Sequence, residues 1–560
     1  MFPFSPCGLY FNYIISRKKR KENQRKKIKE YFTFRLLLSF RFVIIDYMRP
    51  TGDRTPCGKP REKFTLMKKI GFDSEKYLTL QSEKILERID EFGGKLYIEF
   101  GGKLFDDFHA ARVLPGFAPD NKIKMLGKLK DRAEIVIVIN SHDIERNKVR
   151  ADLGITYDLD VLRLIDVFKS YGLYVGSVVL AQFTEENDPA KAFEAKLASL
   201  GIKTYRHYPI KGYPNNIPLI VSEDGYGKND FIETTKDLVI ITAPGPGSGK
   251  MATCLSQLYQ EHKRGHKVGY AKYETFPIWN LPLNHMVNLA YEAATADLND
   301  VNMIDPWHLA AYGKQAVNYN RDVEIFPVLN AIFEQIMGKS PYKSPTDMGV
   351  NMAGYAISDD EVCVEAAKQE IIRRYFNALA RERRNDLDSS ESDKIALIMK
   401  GNNIDVNERK VYEIANRISL ERDCPVAAME LDDGTIITGK TNDLFGCSSS
   451  MILNALKHLA GISDDVDLIS KNSIIPIQDL KIKYLGSKNP RLHVDEMLIA
   501  LSSSAEHDEN AALAIKQLPK LRDCEVHTTV LLAHNDEKFY RKLGIRLTSN
   551  PIFKDRRNAH

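Results

Sequence analysis

Short apolar runs rich in β-branched residues alternate with helix-forming segments in the first half of the chain, and this alternation constrains the fold most. The runs lie at 96–100, 134–139, 174–180, 238–242 and 268–271. Between them, apolar residues recur at helical spacing, as at Leu162 and Ile165. Buried strands that alternate with helices are typical of a parallel sheet covered on both faces. The sequence therefore predicts an α/β fold with ligands at the carboxyl ends of the strands.

The pattern changes twice along the chain. The α/β pattern covers 67–280, a mainly helical pattern covers 281–390, and helices and strands mix over 391–560. Ser358 and Glu361 predict a capping box at the start of a long helix in the middle part. We therefore expect a phosphate- or nucleotide-binding α/β domain, a mainly helical domain and a C-terminal α/β domain.

The first 66 residues differ from the rest in charge. They contain 16 Lys and Arg against 5 Asp and Glu; subtracting these from 79 and 75 leaves 63 and 70 for the remainder. Their basic block follows an apolar stretch rather than preceding it, unlike a secretory signal, and no stretch is long enough for a clear membrane span. We interpret 1–66 as an over-extended, disordered start, with Met67 as the first functional residue.

The acidic balance of the remaining chain bears on its partners and its location. A generally basic surface, which a non-specific nucleic-acid binder needs, is not expected. Seven dispersed cysteines without a CxxC pair indicate reduced thiols in a cytoplasmic protein. We expect a small anionic metabolite as partner, neither nucleic acid nor membrane, and a homo-oligomer as one alternative for the assembly.

Zinc is not expected in the C-terminal part. His493, Cys524 and His527 have suitable chemistry. However, Cys524 and His527 lie three residues apart on a predicted strand, where odd spacing sends side chains to opposite faces.

One segment fits the G-x-x-x-x-G-K-[ST] phosphate-loop pattern letter for letter, at 434–441. Its surroundings do not fit. Asp433 and Gly434 are typical of a turn, residues 435–438 alternate like an edge strand, and Asn442 would break a helix begun by Lys440. The sequence predicts a β-hairpin here.

A second segment, residues 245–250, lies in better surroundings, and we call it the glycine loop. It follows the apolar run 238–242 and leads directly into a helical pattern, after which another apolar run begins. Gly245, Gly247 and Gly249 allow the backbone to approach phosphate oxygens, and Lys250 supplies a positive charge. The sequence predicts a P-loop-like phosphate or nucleotide site, with a merely tight β–α turn as the alternative.

The glycine loop departs from the usual pattern in two places. Pro244 occupies the position of the first glycine, and Met251 stands where a Ser or Thr hydroxyl would hold Mg²⁺. Thr253 or Ser248 would have to supply that hydroxyl.

Candidate catalytic and metal-binding residues follow the apolar run 268–271, which is the next run after the glycine loop. Lys272 and Glu274 lie at its carboxyl end and could contact phosphate and metal; a solvated ion pair is the alternative. Asp305 is a candidate metal ligand, although Asp before Pro306 is also the ordinary start of a helix.

Two further polar segments are candidates for substrate binding. Gly101, Gly102 and Lys103 follow the first run, and His109 and Arg112 come soon after it, which suggests a second anion site or, alternatively, a solvated loop. Residues 340–351, which include Lys343, resemble a long polar loop that closes over a substrate.

Several of these segments together carry a family resemblance. Residues 67–73, 99–107, the glycine loop, 272–279, 301–306 and 343–351 resemble a bacterial family known as domain of unknown function 1846, over essentially 67–551. The resemblance implies a C-terminal domain similar in outline to cytidine deaminases. Serines occupy 448–450, where a deaminase carries a zinc ligand and a catalytic Glu, so deaminase chemistry is not implied.

These patterns favour an ATP-dependent or other nucleotide-dependent enzyme that acts by phosphoryl or nucleotidyl transfer, as a transferase or ligase. The glycine loop would bind the phosphates, Glu274 or Asp305 would help to hold Mg²⁺, and Lys103 and Lys343 would contact the anionic substrate, with His109 nearby. The alternative is a non-catalytic protein that binds a phosphorylated ligand or acts as a scaffold.

Overall fold

The computed structural model describes residues 69–101, 104–150, 153–385 and 387–553. The expected over-extended start at 1–66 therefore lies outside the described residues. The strands are β1 (Leu96–Phe100), β2 (Ala133–Asn140), β3 (Val149–Arg150), β4 (Ile155–Thr156), β5 (Tyr174–Ala181), β6 (Lys203–Arg206), β7 (Leu238–Thr242), β8 (Gly269–Tyr273), β9 (Asn302–Ile304), β10 (Val317–Tyr319), β11 (Gly349–Val350), β12 (Val426–Glu430), β13 (Ile436–Lys440), β14 (Glu525–Thr528) and β15 (Arg546–Ser549).

The α-helices connect and cover these strands. They are Ser74–Glu91, Phe108–Val113, Asn121–Lys128, Ser141–Glu145, Tyr157–Ser170, Asp188–Ser199, Ile217–Ile220, Lys250–Lys263, Met286–Ala294, Pro306–Tyr312, Asn320–Met337, Pro345–Met348, Asp360–Asn385, Ser390–Gly401, Lys410–Arg422, Cys447–Ala460, Lys471–Asp479, Val494–Ser504, Glu509–Ile515 and His534–Leu543. In the part of the chain that the structure describes, none of the helices combines the length and apolar character that crossing a bilayer requires.

Seven strands form one parallel sheet in the order β11-β8-β1-β7-β2-β5-β6. This arrangement confirms the predicted α/β class with a parallel sheet. β7 lies between β1 and β2, so Ile240 pairs with Ile98 on one side and with Ile135 on the other. The apolar runs are continuous because both faces of the sheet are buried.

The two faces of this sheet are covered by different connections. From β1 the chain continues to β2 through helices that pack, with Ile98, on one face. From β7 it continues to β8 in the opposite direction, and Leu255 of the intervening helix packs with Val239 on the other face. The connections that follow β1 and β7 thus diverge, which opens a crevice at the carboxyl ends of these neighbouring strands.

The middle part of the chain adds helices and a small sheet. β9 and β10 pair antiparallel, and the helix Asn320–Met337 packs against the second face of the large sheet. The predicted capping box at Ser358 is wrong by one residue. The backbone N–H of Val362 donates to Asp359 Oδ1 at 3.2 Å, while Ser358 N donates to the Gly71 carbonyl.

The C-terminal part has its own sheet, in the order β13-β12-β14-β15, and its own apolar core. β12 and β13 pair antiparallel through the turn at Gly434, which confirms the predicted hairpin. The helix Cys447–Ala460 covers these two strands. A second α/β unit therefore follows the large sheet, as expected.

Candidate functional site

A cavity of about 1310 Å³, which we call the cleft, lies at the carboxyl edge of the seven-stranded sheet. Strand ends and the loops that follow them line it: Glu99 after β1, Asn140 at β2, Gln182 after β5, the glycine loop after β7 and Glu274 after β8. The cleft thus occupies the crevice where the connections of β1 and β7 diverge.

The glycine loop lies on the wall of the cleft between β7 and the helix Lys250–Lys263. Gly247 and Gly249 have φ values of 75° and 93°, which side chains adopt only with strain. Asn140 Nδ2 donates to the Gly247 carbonyl at 3.3 Å, which ties the loop to the end of β2. The first N–H groups of the helix have no partner within it, so they are available to an anion.

Gly245 is required by close packing against Tyr157 and does not contact the cleft. A Cβ there would lie 2.2 Å from the hydroxyl oxygen of Tyr157, and Gly245 is not among the residues that line the cleft. Its carbonyl accepts a hydrogen bond from Ser248 Oγ at 2.7 Å, so the Ser248 hydroxyl is used within the loop.

Lys250 points its charge toward β1. Its Nζ lies 3.9 Å from Glu99 Oε1, at the outer limit of an ion pair, while Glu99 Oε2 accepts a hydrogen bond from the Tyr270 hydroxyl at 3.1 Å. Thr253, predicted as a possible hydroxyl donor, does not line the cleft; its Oγ1 is buried without a hydrogen-bond partner among the described residues. Glu99 was not among the sequence candidates because a carboxylate within a strand has no local signal.

Lys272 is the centre of a charged cluster at the end of β8. Its Nζ lies 2.8 Å from Glu274 Oε1 and donates to Asp322 Oδ2 and to the Tyr319 hydroxyl. Asp322 and Tyr319 come from the start of helix Asn320–Met337 and the end of β10, 50 and 47 residues away. Sequence analysis missed both residues, since no local pattern links them to β8.

Burial and charge alter the proton affinities in this cluster. Burial by itself disfavours the charged form of Lys272, but Asp322 and Glu274 raise its pKa well above the usual value. Burial, and after it the charge of Asp322, raise the pKa of Glu274 to about 7, against the lowering influence of Lys272. Glu274 can therefore gain or lose a proton near neutral pH.

His109 and Arg112 line the cleft beside a buried carboxylate. Glu370 Oε1 lies 3.4 Å from His109 Nδ1, and Glu370 Oε2 accepts from Arg112 Nε at 3.0 Å. Burial lowers the pKa of His109, against the raising influence of the hydrogen bond with Glu370. Although burial opposes it, ion pairs with Arg373 and Arg112 hold the pKa of Glu370 well below its usual range.

The structure places the predicted metal ligand Asp305 outside the residues that line the cleft. Asp305 is fully buried and caps the helix Pro306–Tyr312: Oδ1 accepts from the N–H groups of Trp307 and His308, and Oδ2 accepts from Thr346. In the described ranges, no group of three or more His, Cys, Asp or Glu side chains is arranged to hold a metal ion.

The two predicted substrate loops have different outcomes. Lys103 lies outside the described residues, although neighbouring Gly101 lines the cleft. Lys343 is exposed, packs over the Tyr312 ring and does not line the cleft. The expectation of a polar covering loop at 340–351 is wrong, because Tyr342, Met348 and Val350 are buried and Val350 belongs to β11, which pairs with β8.

Comparisons with known proteins give a consistent family. Residues 70–403 match the family model "Domain of unknown function DUF1846, N-terminal", and residues 407–558 match its C-terminal counterpart. A UPF0371 protein of Corynebacterium diphtheriae is 60% identical over 485 residues, which cover 87% of this chain and 98% of that protein. A UPF0371 protein of Streptococcus uberis is 54% identical over 488 residues, covering 87% and 99%.

Proposed function

The chain belongs to the DUF1846 family, and from the geometry of its cleft we propose that it is an enzyme that binds a nucleoside triphosphate and transfers a phosphoryl or nucleotidyl group. The observation that carries the proposal is the meeting of three features in one cavity. These are the glycine loop at the start of a helix, the charged cluster around Lys272 and the basic residues near His109.

The glycine loop would hold the phosphates. Its left-handed glycines turn the chain so that backbone N–H groups at the start of the helix Lys250–Lys263 face one direction. Lys250 Nζ lies 3.9 Å from Glu99 Oε1, so no short contact holds its ammonium in place and it could turn toward a phosphate. A tight β–α turn alone would not need a lysine on the wall of the cleft.

The Lys272 cluster would carry the chemistry. Phosphoryl transfer depends mainly on positioning and on neutralising the charge of the transferred group. The ammonium of Lys272 contacts Asp322, Glu274 and Tyr319, so it would approach a phosphate by exchanging one of these three contacts. With a pKa near 7, Glu274 would accept the proton of an attacking hydroxyl group.

Mg²⁺ would be held mostly by the phosphates. The ion typically takes one or two protein carboxylates and keeps several waters. Asp322 lines the cleft and would fill that role, whereas both oxygens of Asp305 already accept hydrogen bonds.

The acceptor substrate would be a small anion. His109, Arg112, Lys122, Arg321 and Arg374 also line the cleft and favour a carboxylate or phosphate group. The likeness of the C-terminal domain to cytidine deaminases stays a prediction of the family resemblance, and no step of the proposed reaction uses it.

A thermal-shift comparison tests the nucleotide site. ATP with Mg²⁺ should raise the Tm of the wild-type protein. At an ATP concentration of 100 times Kd, binding stabilises the folded state by about 2.7 kcal/mol. Lys250→Ala should abolish that rise. Lys263→Ala is the matched control, because Lys263 lies at the other end of the same helix and is half exposed. An unchanged Tm with ATP, ADP and pyrophosphate would remove the basis of the proposal.

Turnover separates the enzyme from a non-catalytic binding protein. We expect slow Mg²⁺-dependent release of phosphate or pyrophosphate from ATP, measured by ³¹P NMR, and its loss in Glu274→Gln with ATP binding retained. ATP binding without any turnover, also in the presence of a pool of small anionic metabolites, would favour the scaffold function.

A further inference from the structure

A second cavity, of about 480 Å³, lies outside the cleft. Its walls include Arg373 of the helix Asp360–Asn385, residues 408–411 at the start of the helix Lys410–Arg422, Glu525 of β14 and Arg546 of β15. It thus brings together residues from the two regions that the two family models match. Arg112 lines both cavities.

Arg409 is a buried arginine in the wall of the second cavity, with an exposed fraction of 1%. Its Nε donates to Thr548 Oγ1 at 3.1 Å and its Nη2 to the Val526 carbonyl at 3.2 Å; Nη2 also pairs with Glu525. Its Nη1 is buried and has no hydrogen-bond partner among the described residues. A buried charged donor without an acceptor is costly, so an acceptor group that reached the Arg409 guanidinium would be stabilised.

The carboxylates that line the second cavity are already engaged. Glu525 forms ion pairs with both Arg409 and Arg546, although its buried Oε2 accepts no hydrogen bond among the described residues, and Glu370 pairs with three arginines. The remaining ones also have partners, namely Glu408 with Lys368, Glu430 with Lys410 and Glu365 with Gln369. Six cationic side chains line the same cavity: Lys69, Arg112, Arg373, Arg409, Lys410 and Arg546.

Two further observations indicate a positive potential in the second cavity. Burial and the neighbouring Arg373 lower the pKa of Arg112 to about 9, even though Glu370 opposes this change. In addition, the 13-residue helix Lys410–Arg422 begins at the cavity wall, and its first N–H groups and dipole favour an anion.

We propose that the second cavity binds a small metabolite through a phosphate or carboxylate group, held by Arg409, Arg546 and the first turn of the helix Lys410–Arg422. Guanidinium groups suit both oxyanions because they can donate two parallel hydrogen bonds. The site does not depend on the glycine loop.

Calorimetric titration tests this site in a Lys250→Ala protein, in which phosphate binding by the glycine loop is removed. Inorganic phosphate and succinate are the two probes, and they distinguish phosphate from carboxylate recognition. We expect saturable binding of at least one probe, and we assign to the second cavity the part of it that Arg546→Gln weakens, because the cleft keeps its own cationic residues in this background. Arg546→Gln in the same background should weaken that binding about tenfold or more. Arg417→Gln is the matched control, since Arg417 is exposed on the same helix and does not line the cavity.

A second variant keeps the test decisive if Arg546→Gln does not fold. Lys410 is 71% exposed, and an acidic residue in the first turn of a helix is favourable, so Lys410→Glu should fold normally. It should nevertheless abolish probe binding by charge reversal. The proposal is overturned if neither probe binds in the millimolar range, or if both Lys410→Glu and any folded Arg546→Gln bind as the parent does.

Discussion

The glycine loop and the β12–β13 hairpin both carry a glycine followed by a lysine, but the fold places the two pairs in opposite surroundings. Residues 434–441 match the phosphate-loop letters, yet Lys440 ends an antiparallel strand. Lys250 begins a 14-residue helix directly after a parallel strand. Only the second arrangement directs helix N–H groups into a cavity, so the backbone, not the letters, decides where an anion can bind.

The glycines of the two pairs are required for different reasons. Gly439 packs against the helix Cys447–Ala460, where a Cβ would lie 2.1 Å from the backbone nitrogen of Met451. A Cβ at Gly249 would make a tight contact of 3.1 Å with Ala181 Cβ, from which a small shift could relieve it, whereas the φ of 93° disfavours any side chain there. One glycine therefore serves packing and the other serves the conformation of a loop.

Gly439→Ala should have the largest effect on stability. The added methyl group meets helix backbone, which cannot turn aside, so we expect destabilisation of about 3 kcal/mol or more. Urea denaturation would measure it. The ATP-induced rise in Tm should persist in the folded fraction, and a stability like that of the wild type would contradict the packing argument.

The free energy of unfolding should also depend on pH, through Glu274 in the cleft and not through Asp433 in the hairpin. The pKa of Glu274 is raised from 4.5 to about 7, so its contribution to stability is present below about pH 4.5 and is lost as pH rises through 7. A tenfold change in proton affinity corresponds to about 1.4 kcal/mol. In the hairpin, a hydrogen bond from the Thr435 N–H lowers the pKa of Asp433, so that carboxyl stays ionised over this range.

The variant Glu274→Gln tests whether Glu274 makes stability depend on pH. Its Tm relative to the wild type should be higher at pH 8 than at pH 5, because glutamine stays neutral. Asp433→Asn is the matched control and should show the same Tm difference at both values. A Tm difference for Glu274→Gln that does not change with pH would contradict the raised pKa.

Gly249→Ala should cost less stability but remove ligand binding. An alanine in the left-handed region costs about 1–2 kcal/mol. Because the distorted loop would no longer direct its N–H groups into the cleft, ATP should not raise the Tm. Gly434→Ala, at a φ of 80° in the hairpin turn, should cost a similar amount and leave the ATP-induced rise intact.

Lys440→Ala should have the smallest effect. The side chain is exposed, so we expect a change in stability within about 0.5 kcal/mol and an unchanged ATP-induced rise in Tm. A loss of the rise would show that the hairpin lysine, rather than Lys250, contacts the phosphates.

Much of the local structure could be predicted from the sequence. The run 238–242 is a strand with the predicted bounds, and a helix follows the glycine loop, because a buried apolar run and a helical face leave strong periodic signals. The sequence does not predict the buried segment 340–351, because polar residues separate Tyr342, Met348 and Val350 and leave no apolar periodicity.

The sequence by itself determined the apolar strands of the large sheet, the glycines and lysines that follow them, and the family. Only the tertiary structure decided that β7 enters between β1 and β2, and that Asp322 and Tyr319 reach Lys272. It also decided that arginines from distant segments surround Glu370 and Glu525. The physical reason is that helices and turns depend on neighbours in the chain, whereas strand order and buried charge pairs depend on contacts between distant residues.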